Sequence, residues 1–102
     1  MIRHIVIFRY KRGAAKDQVL QVTGAFRDLK NNVPGILSFE HGANDSREGK
    51  DQGFTHVHQL AFADARSRDA YLTHPAHLRF VERLDRLRII DDVFVVDYDV
   101  QA

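Results

Sequence analysis

The run Tyr71-Leu72-Thr73-His74-Pro75-Ala76-His77 sets a phenol and two imidazoles around a proline. That proline breaks one helix and suits the first position of the next. Imidazole titrates near neutrality, so it can take or give a proton, and a phenol can hydrogen-bond an oxygen on which charge develops. The cluster therefore admits a proton-transfer or a metal-binding reading. Tyr71 ends one helix and His77 begins another, so both can lean toward the same space. His74, just before Pro75, reads as the cap of the second helix.

Three more histidines fall in strand-like stretches, His4 in the first and His56 and His58 in the third. If the even-numbered faces of those strands point toward the helices, the imidazoles share a space with Val6, Phe8, Phe26 and Leu60. The expected ligand-binding set is His4, Val6, Phe8, Phe26, His56 and His58, a mostly apolar pocket with few polar anchors. His56-Val57-His58 also directs two rings to one side of a strand, and His4 could add a third metal ligand. No carboxylate accompanies them at convincing spacing, so no metal and no cofactor is assigned. There is no cysteine, which removes thiolate chemistry. Ser38, Ser46 and Ser67 stand in no nucleophile elbow. His41 carries no role. Each histidine also has a plainer use: a structural Tyr71–His77 hydrogen bond and satisfied core imidazoles at 4 and 56 account for the same residue types.

The elements that must position these groups follow from periodicity. Ile2 to Tyr10 alternates, with Ile2, His4, Val6, Phe8 and Tyr10 on one face and Ile5 and Ile7 on the other. Val19, Val22, Phe26, Leu29 and Val33 recur at helical spacing until Pro34-Gly35 ends the helix. Ile36 to Ala43 reads as a second strand and Phe54 to Phe62 as a third, separated by a polar loop from Asn44 to Gly53. Asp64 caps a short helix running to about Leu72. The next helix shows Leu78, Val81, Leu84 and Leu87 as its expected buried stripe, and Val93 to Val100 is the last strand. The order is β-α-β-β-α-β, an α+β ferredoxin-like arrangement with a four-stranded antiparallel sheet.

Size and charge narrow the rest. A chain of 102 residues holds one domain, 1–102, and leaves oligomerisation as a natural way to gain core. Fifteen basic and 14 acidic residues give a formal charge of +1, no footprint for nucleic acid. No apolar run approaches the ~20 residues of a membrane span. The expected setting is cytoplasmic, with no membrane partner. Two helical elements cover only one sheet face, yet the first and last strands are apolar on both. The uncovered face predicts a homodimer through the sheets.

Ile2 to Phe8, Phe54-Thr55-His56-Val57, the Tyr-x-x-His-Pro-x-His pattern of Tyr71 to His77, and Val93 to Tyr98 resemble the stress-responsive dimeric α/β-barrel (Dabb) domain family. The resemblance spans essentially the whole chain. It implies a ferredoxin-like protomer and a homodimeric α/β barrel. The family includes plant stress-induced proteins and a polyketide cyclase. That cyclase's tyrosine–histidine pair falls here on Tyr71 and His77, and its other pocket histidines fall on His4 and His56. It implies an intramolecular aldol closure without metal. Three functions stay open from the residues: binding of a small apolar or aromatic ligand, cyclase-like lyase chemistry, and a non-catalytic structural role.

Overall fold

A computed structural model describes residues 1–102. Strand β1 (Ile2–Tyr10) keeps the alternation of its sequence: Ile2, His4, Val6 and Phe8 are buried, while Ile5 and Ile7 are half-buried on the opposite face. It lies between β3 (His56–Phe62) and β4 (Ile90–Asp99), antiparallel to both, and β2 (Ile36–Ala43) pairs with β3. The sheet order is β2-β3-β1-β4. Helix α1 (Lys16–Asn32) follows β1, and α2 (Ala65–Leu72) and α3 (Pro75–Leu87) lie between β3 and β4. This is the ferredoxin-like βαββαβ fold, with its second helical element split at Pro75.

The helices lie against one face of the sheet, and the core is where they meet it. In α1, Val22, Phe26 and Leu29 are buried at i, i+4 and i+7, and Val33 closes the stripe. Asp64 caps α2, its carboxylate accepting from the Ser67 N–H at 2.8 Å. No helix is long and apolar enough to cross a membrane.

Strand β4 starts at Ile90 rather than Val93, with Ile90 and Asp92 already paired to β1, and three further placements differ from the sequence reading. Strand β3 starts at His56 rather than Phe54, because Phe54 N–H donates to the Asp51 carbonyl in a turn (2.9 Å). Gly53 turns there at φ 83°, and a Cβ on it would come within 2.7 Å of Arg9 Cδ. The Phe54 ring thereby reaches the uncovered face, under the Arg9 guanidinium at 4.7 Å and beside Phe94. Strict alternation in β2 predicts Leu37, Phe39 and His41 on one face, but the register slips between Ile36 and Ser38, so Leu37 is exposed while Ile36 is buried and Phe39 lies half-buried against the core. The third difference is the buried stripe of α3. Ala76 and Phe80 are buried, with Leu84 and Leu87 half-buried, whereas Leu78 and Val81 are exposed.

Candidate functional site

Residues of α3 stand away from the β1–β4 half of the sheet, leaving a cavity of about 630 Å³. That volume is ordinary for a small-molecule site. His4, Val6 and Phe8 of β1 form its floor together with Val93 and Val95 of β4. Phe26 of α1, Tyr71 and Leu72 of α2, and His77, Phe80, Val81 and Leu84 of α3 make the walls. Lys11, Asp85, Arg88, Asp91 and Asp92 stand at one end.

The α2–α3 junction fixes the two candidate catalytic side chains. His74 Nδ1 accepts from the Ala76 N–H at 3.0 Å, so it caps α3 as its position before Pro75 requires. His77, in the first turn of α3, reaches back across the break and donates its Nδ1–H to the Leu72 carbonyl at 3.0 Å. That bond sets the tautomer and leaves Nε2 with its lone pair. The His77 ring lies against Tyr71, with centroids 4.4 Å apart. Burial lowers the His77 pKa, outweighing the raising effect of the Leu72 bond, and the His4 ring lowers it further. The imidazole is therefore neutral at pH 7 and can accept a proton.

Tyr71 is the complement. Burial pushes its pKa well above the ordinary phenol value, with the Asp97 charge adding to the rise. It stays protonated and can only be a hydrogen-bond donor or a neutral acceptor. Its hydroxyl is sealed from solvent with no partner, a state shared only with Tyr10 Oη on the far side of Phe8. An unsatisfied buried hydroxyl costs about 1–3 kcal/mol. Tyr71 lines the cavity, and its hydroxyl is the one sealed, unpartnered side-chain polar atom among the lining residues.

Beneath this couple lies a hydrogen-bonded chain that sequence reasoning missed. His4 Nδ1 is 2.7 Å from Asp97 Oδ1, and Asp97 Oδ2 accepts from Arg68 Nη1 at 2.8 Å. His4 and Asp97 are direct partners in the β1–β4 ladder. Only that register makes the pair visible.

Of the residues expected to contact a ligand, the structure brings His4, Val6, Phe8 and Phe26 to the cavity with Tyr71 and His77. His56 and His58 are not there. Helix α1 covers β3, and Phe26 stacks on the His58 ring at 4.7 Å while Phe8 lies at the same distance. His58 donates its Nδ1–H to the Val6 carbonyl at 3.0 Å, and burial lowers its pKa to about 4. His56 turns to Thr55 Oγ1 at 2.9 Å and packs on Tyr10. Leu60, also expected at the pocket, is wholly buried in the core. Nowhere do three His, Cys, Asp or Glu side chains converge as metal ligands.

A family model described as the stress responsive A/B barrel domain matches residues 2–100. The stress-response A/B barrel domain-containing protein HS1 of Arabidopsis thaliana is 27% identical over 97 residues, covering 95% of this chain and 87% of its own. Olivetolic acid cyclase of Cannabis sativa is 23% identical over 79 residues, 78% of each chain. Among solved structures, At3g17210 of Arabidopsis thaliana superposes with TM-score 0.92 at 25% identity, covering 100% of this chain and 97% of that one. Hydroxynitrile lyase of Passiflora edulis gives 0.88 at 24%, covering 98% and 93%. A dimeric ferredoxin-like protein of unknown function from Jannaschia gives 0.80 at 26%, covering 97% and 98%.

Proposed function

The chain belongs to the stress-responsive A/B barrel domain family, and from that premise we propose that it is a homodimeric, cytoplasmic protein that binds a small apolar or aromatic ligand bearing a carbonyl or hydroxyl oxygen. The observation that carries this reading is the cavity of about 630 Å³ beside a phenol whose hydroxyl has no hydrogen-bond partner. Apolar walls supply affinity by removing ligand surface from water, and the phenol supplies the one directional contact. A purely structural role for the Tyr71–His77 pair would be supported by side chains filling this space, and they leave it open. Dimeric relatives of the same fold support the homodimer. The near-neutral charge supports neither nucleic acid nor an acidic membrane as partner.

The test is titration with acetophenone, followed by NMR of the backbone and aromatic protons. Shifts centred on Tyr71, His77, Val93 and Val95, weakened at least tenfold in affinity by Tyr71→Phe, are expected. Absence of perturbation at millimolar ligand, or perturbation confined to the uncovered sheet face, would overturn the reading.

A second reading, catalysis, is favoured by the free Nε2 of neutral His77. In it the imidazole takes the proton from a carbon alpha to a carbonyl, and Tyr71 O–H donates to the oxygen as the enolate forms. The enolate carbon attacks a second carbonyl of the same molecule, closing a ring. The new alkoxide recovers the proton from the imidazolium. This is cyclase-like lyase chemistry needing no metal, and the likeness to olivetolic acid cyclase supports it. Loss of turnover of a linear poly-β-ketone in both Tyr71→Phe and His77→Gln, with folding intact, is the expected signature.

A further inference from the structure

We propose that His4 is a second proton acceptor of this cavity, positioned by Asp97 and, through Asp97, by Arg68. The inference rests on the catalytic reading above and extends it to three residues on three different elements.

Both oxygens of Asp97 are engaged, one by His4 Nδ1 at 2.7 Å and the other by Arg68 Nη1 at 2.8 Å. Arg68 is itself braced by Asp69, 2.8 Å from its Nε. The carboxylate is thus held from both sides, and its two partners come from β1 and α2. A carboxylate only accepts, so His4 Nδ1 carries the proton and Nε2 carries the lone pair. Nε2 makes no hydrogen bond and is not among the sealed unpartnered atoms, while the ring lines the cavity. The ring packs edge-on against Tyr71 at 5.7 Å and Phe62 at 6.5 Å, which limits its rotation. Here an imidazole has one nitrogen fixed by a carboxylate and the other open to a ligand. The proton it takes comes from a C–H alpha to the ligand's carbonyl. The C–H electron pair goes into the enolate, Nε2–H forms, and Asp97 stabilises the imidazolium without accepting its proton.

The role of Arg68 has a distinctive consequence. In Asp97→Asn the guanidinium, which only donates, claims the amide oxygen. The amide NH2 then faces His4 Nδ1, forcing that nitrogen to accept and the proton onto Nε2. The base is lost. In the double variant Arg68→Ala/Asp97→Asn the amide is free to turn its oxygen to His4, and the base returns. If Arg68 were only a strut between α2 and β4, removing it would make Asp97→Asn worse.

The experiment has two readouts on the folded protein. Long-range proton–nitrogen NMR of the imidazoles reports the His4 tautomer without any ligand. Deuterium exchange into 4-phenyl-2-butanone in D2O reports proton abstraction. Expected are an Nδ1–H tautomer in the wild type, an Nε2–H tautomer in Asp97→Asn with exchange slowed about tenfold or more, and recovery of both in the double variant. An unchanged tautomer or exchange rate in Asp97→Asn, or no recovery in the double variant, overturns the proposal and leaves the binding reading standing. Binding of the ketone with no wild-type exchange does the same. Absence of both binding and exchange overturns the parent reading as well.

Discussion

At the scale of single residues, the cavity couple and the core histidines make opposite demands on stability. Tyr71 holds a sealed hydroxyl with nothing to bond. Removing it in Tyr71→Phe keeps the ring contacts with Phe62 and His77 and deletes the unsatisfied atom. The expected gain is about 1 kcal/mol, read as a higher melting temperature together with weaker ketone binding. A lower melting temperature would mean that the hydroxyl has a partner in solution. His58 works in the other sense. Its pKa falls from 6.5 to about 4 through burial, so the folded state holds it neutral while the unfolded chain protonates near 6.5. The stability from keeping it neutral is complete above pH 6.5 and is lost as the pH drops toward 4. The loss amounts to about 3 kcal/mol at ~1.4 kcal/mol per pH unit. Urea midpoints should therefore decline across that interval, and His58→Phe, which retains a ring against Phe26, should flatten the decline. An equally steep slope in that variant would place the acid sensitivity elsewhere.

At the scale of elements, the break between α2 and α3 is what brings the His77 imidazole to bear on the Tyr71 phenol. His74 caps α3 from a position where serine, threonine or aspartate is more usual. His74→Ala should cost about 1 kcal/mol, and His74→Asp should recover it, because aspartate caps as well and adds a favourable charge at the helix start. Thermal melts of the two variants check this; equal melts would mean that Pro75 alone sets the helix start. Much of this junction was legible beforehand, since a cap, a proline and a helix start are local chemistry. So was β1, whose alternate residues all answer to one core. The stripe of α3 was not. Leu78 and Val81 have helical spacing, but the helix stands over a cavity rather than a filled core, and Phe80 takes the buried position against Phe26 at 4.8 Å. Nor could the Arg68–Asp97–His4 chain be read, because its members lie 29 and 93 residues apart: the β1–β4 register joins His4 to Asp97, and Arg68 reaches the same carboxylate from α2. The same holds for β2, where an extra residue shifts Leu37 outward. His58 was placed on the correct face, yet which helix would cover that part of the sheet depended on packing.

At the scale of the whole molecule, the protomer is a slab of 37 × 32 × 17 Å, thick enough for one sheet and one layer of helices. Its other sheet face carries Ile5, Ile7 and Val57 half-buried, with Phe94 51%, Val96 44% and Tyr98 50% exposed. These residues are contiguous, since Ile5 pairs with Val96 and Ile7 with Phe94 and Val57 in adjacent ladders. Polar side chains border this patch, Gln59 donating to Glu40 and Arg9 to Asp91. An apolar centre with a polar border is the anatomy of an interface. A second copy offers the same surface, and two slabs packed sheet to sheet bury it symmetrically. Ile7 sits near the middle, so Ile7→Asp would place two unpaired carboxylates, one from each protomer, in that layer. Leaving one such charge buried costs about 3–5 kcal/mol, whereas in a lone protomer the half-exposed position keeps it hydrated. The variant should be a folded monomer by light scattering, with an unaltered circular dichroism spectrum. Because the ketone cavity lies on the far side of the sheet, its NMR response should survive in that monomer. An intact Ile7→Asp dimer would place the interface elsewhere, and a dissociated one that no longer bound ketone would show that the partner shapes the cavity through the sheet.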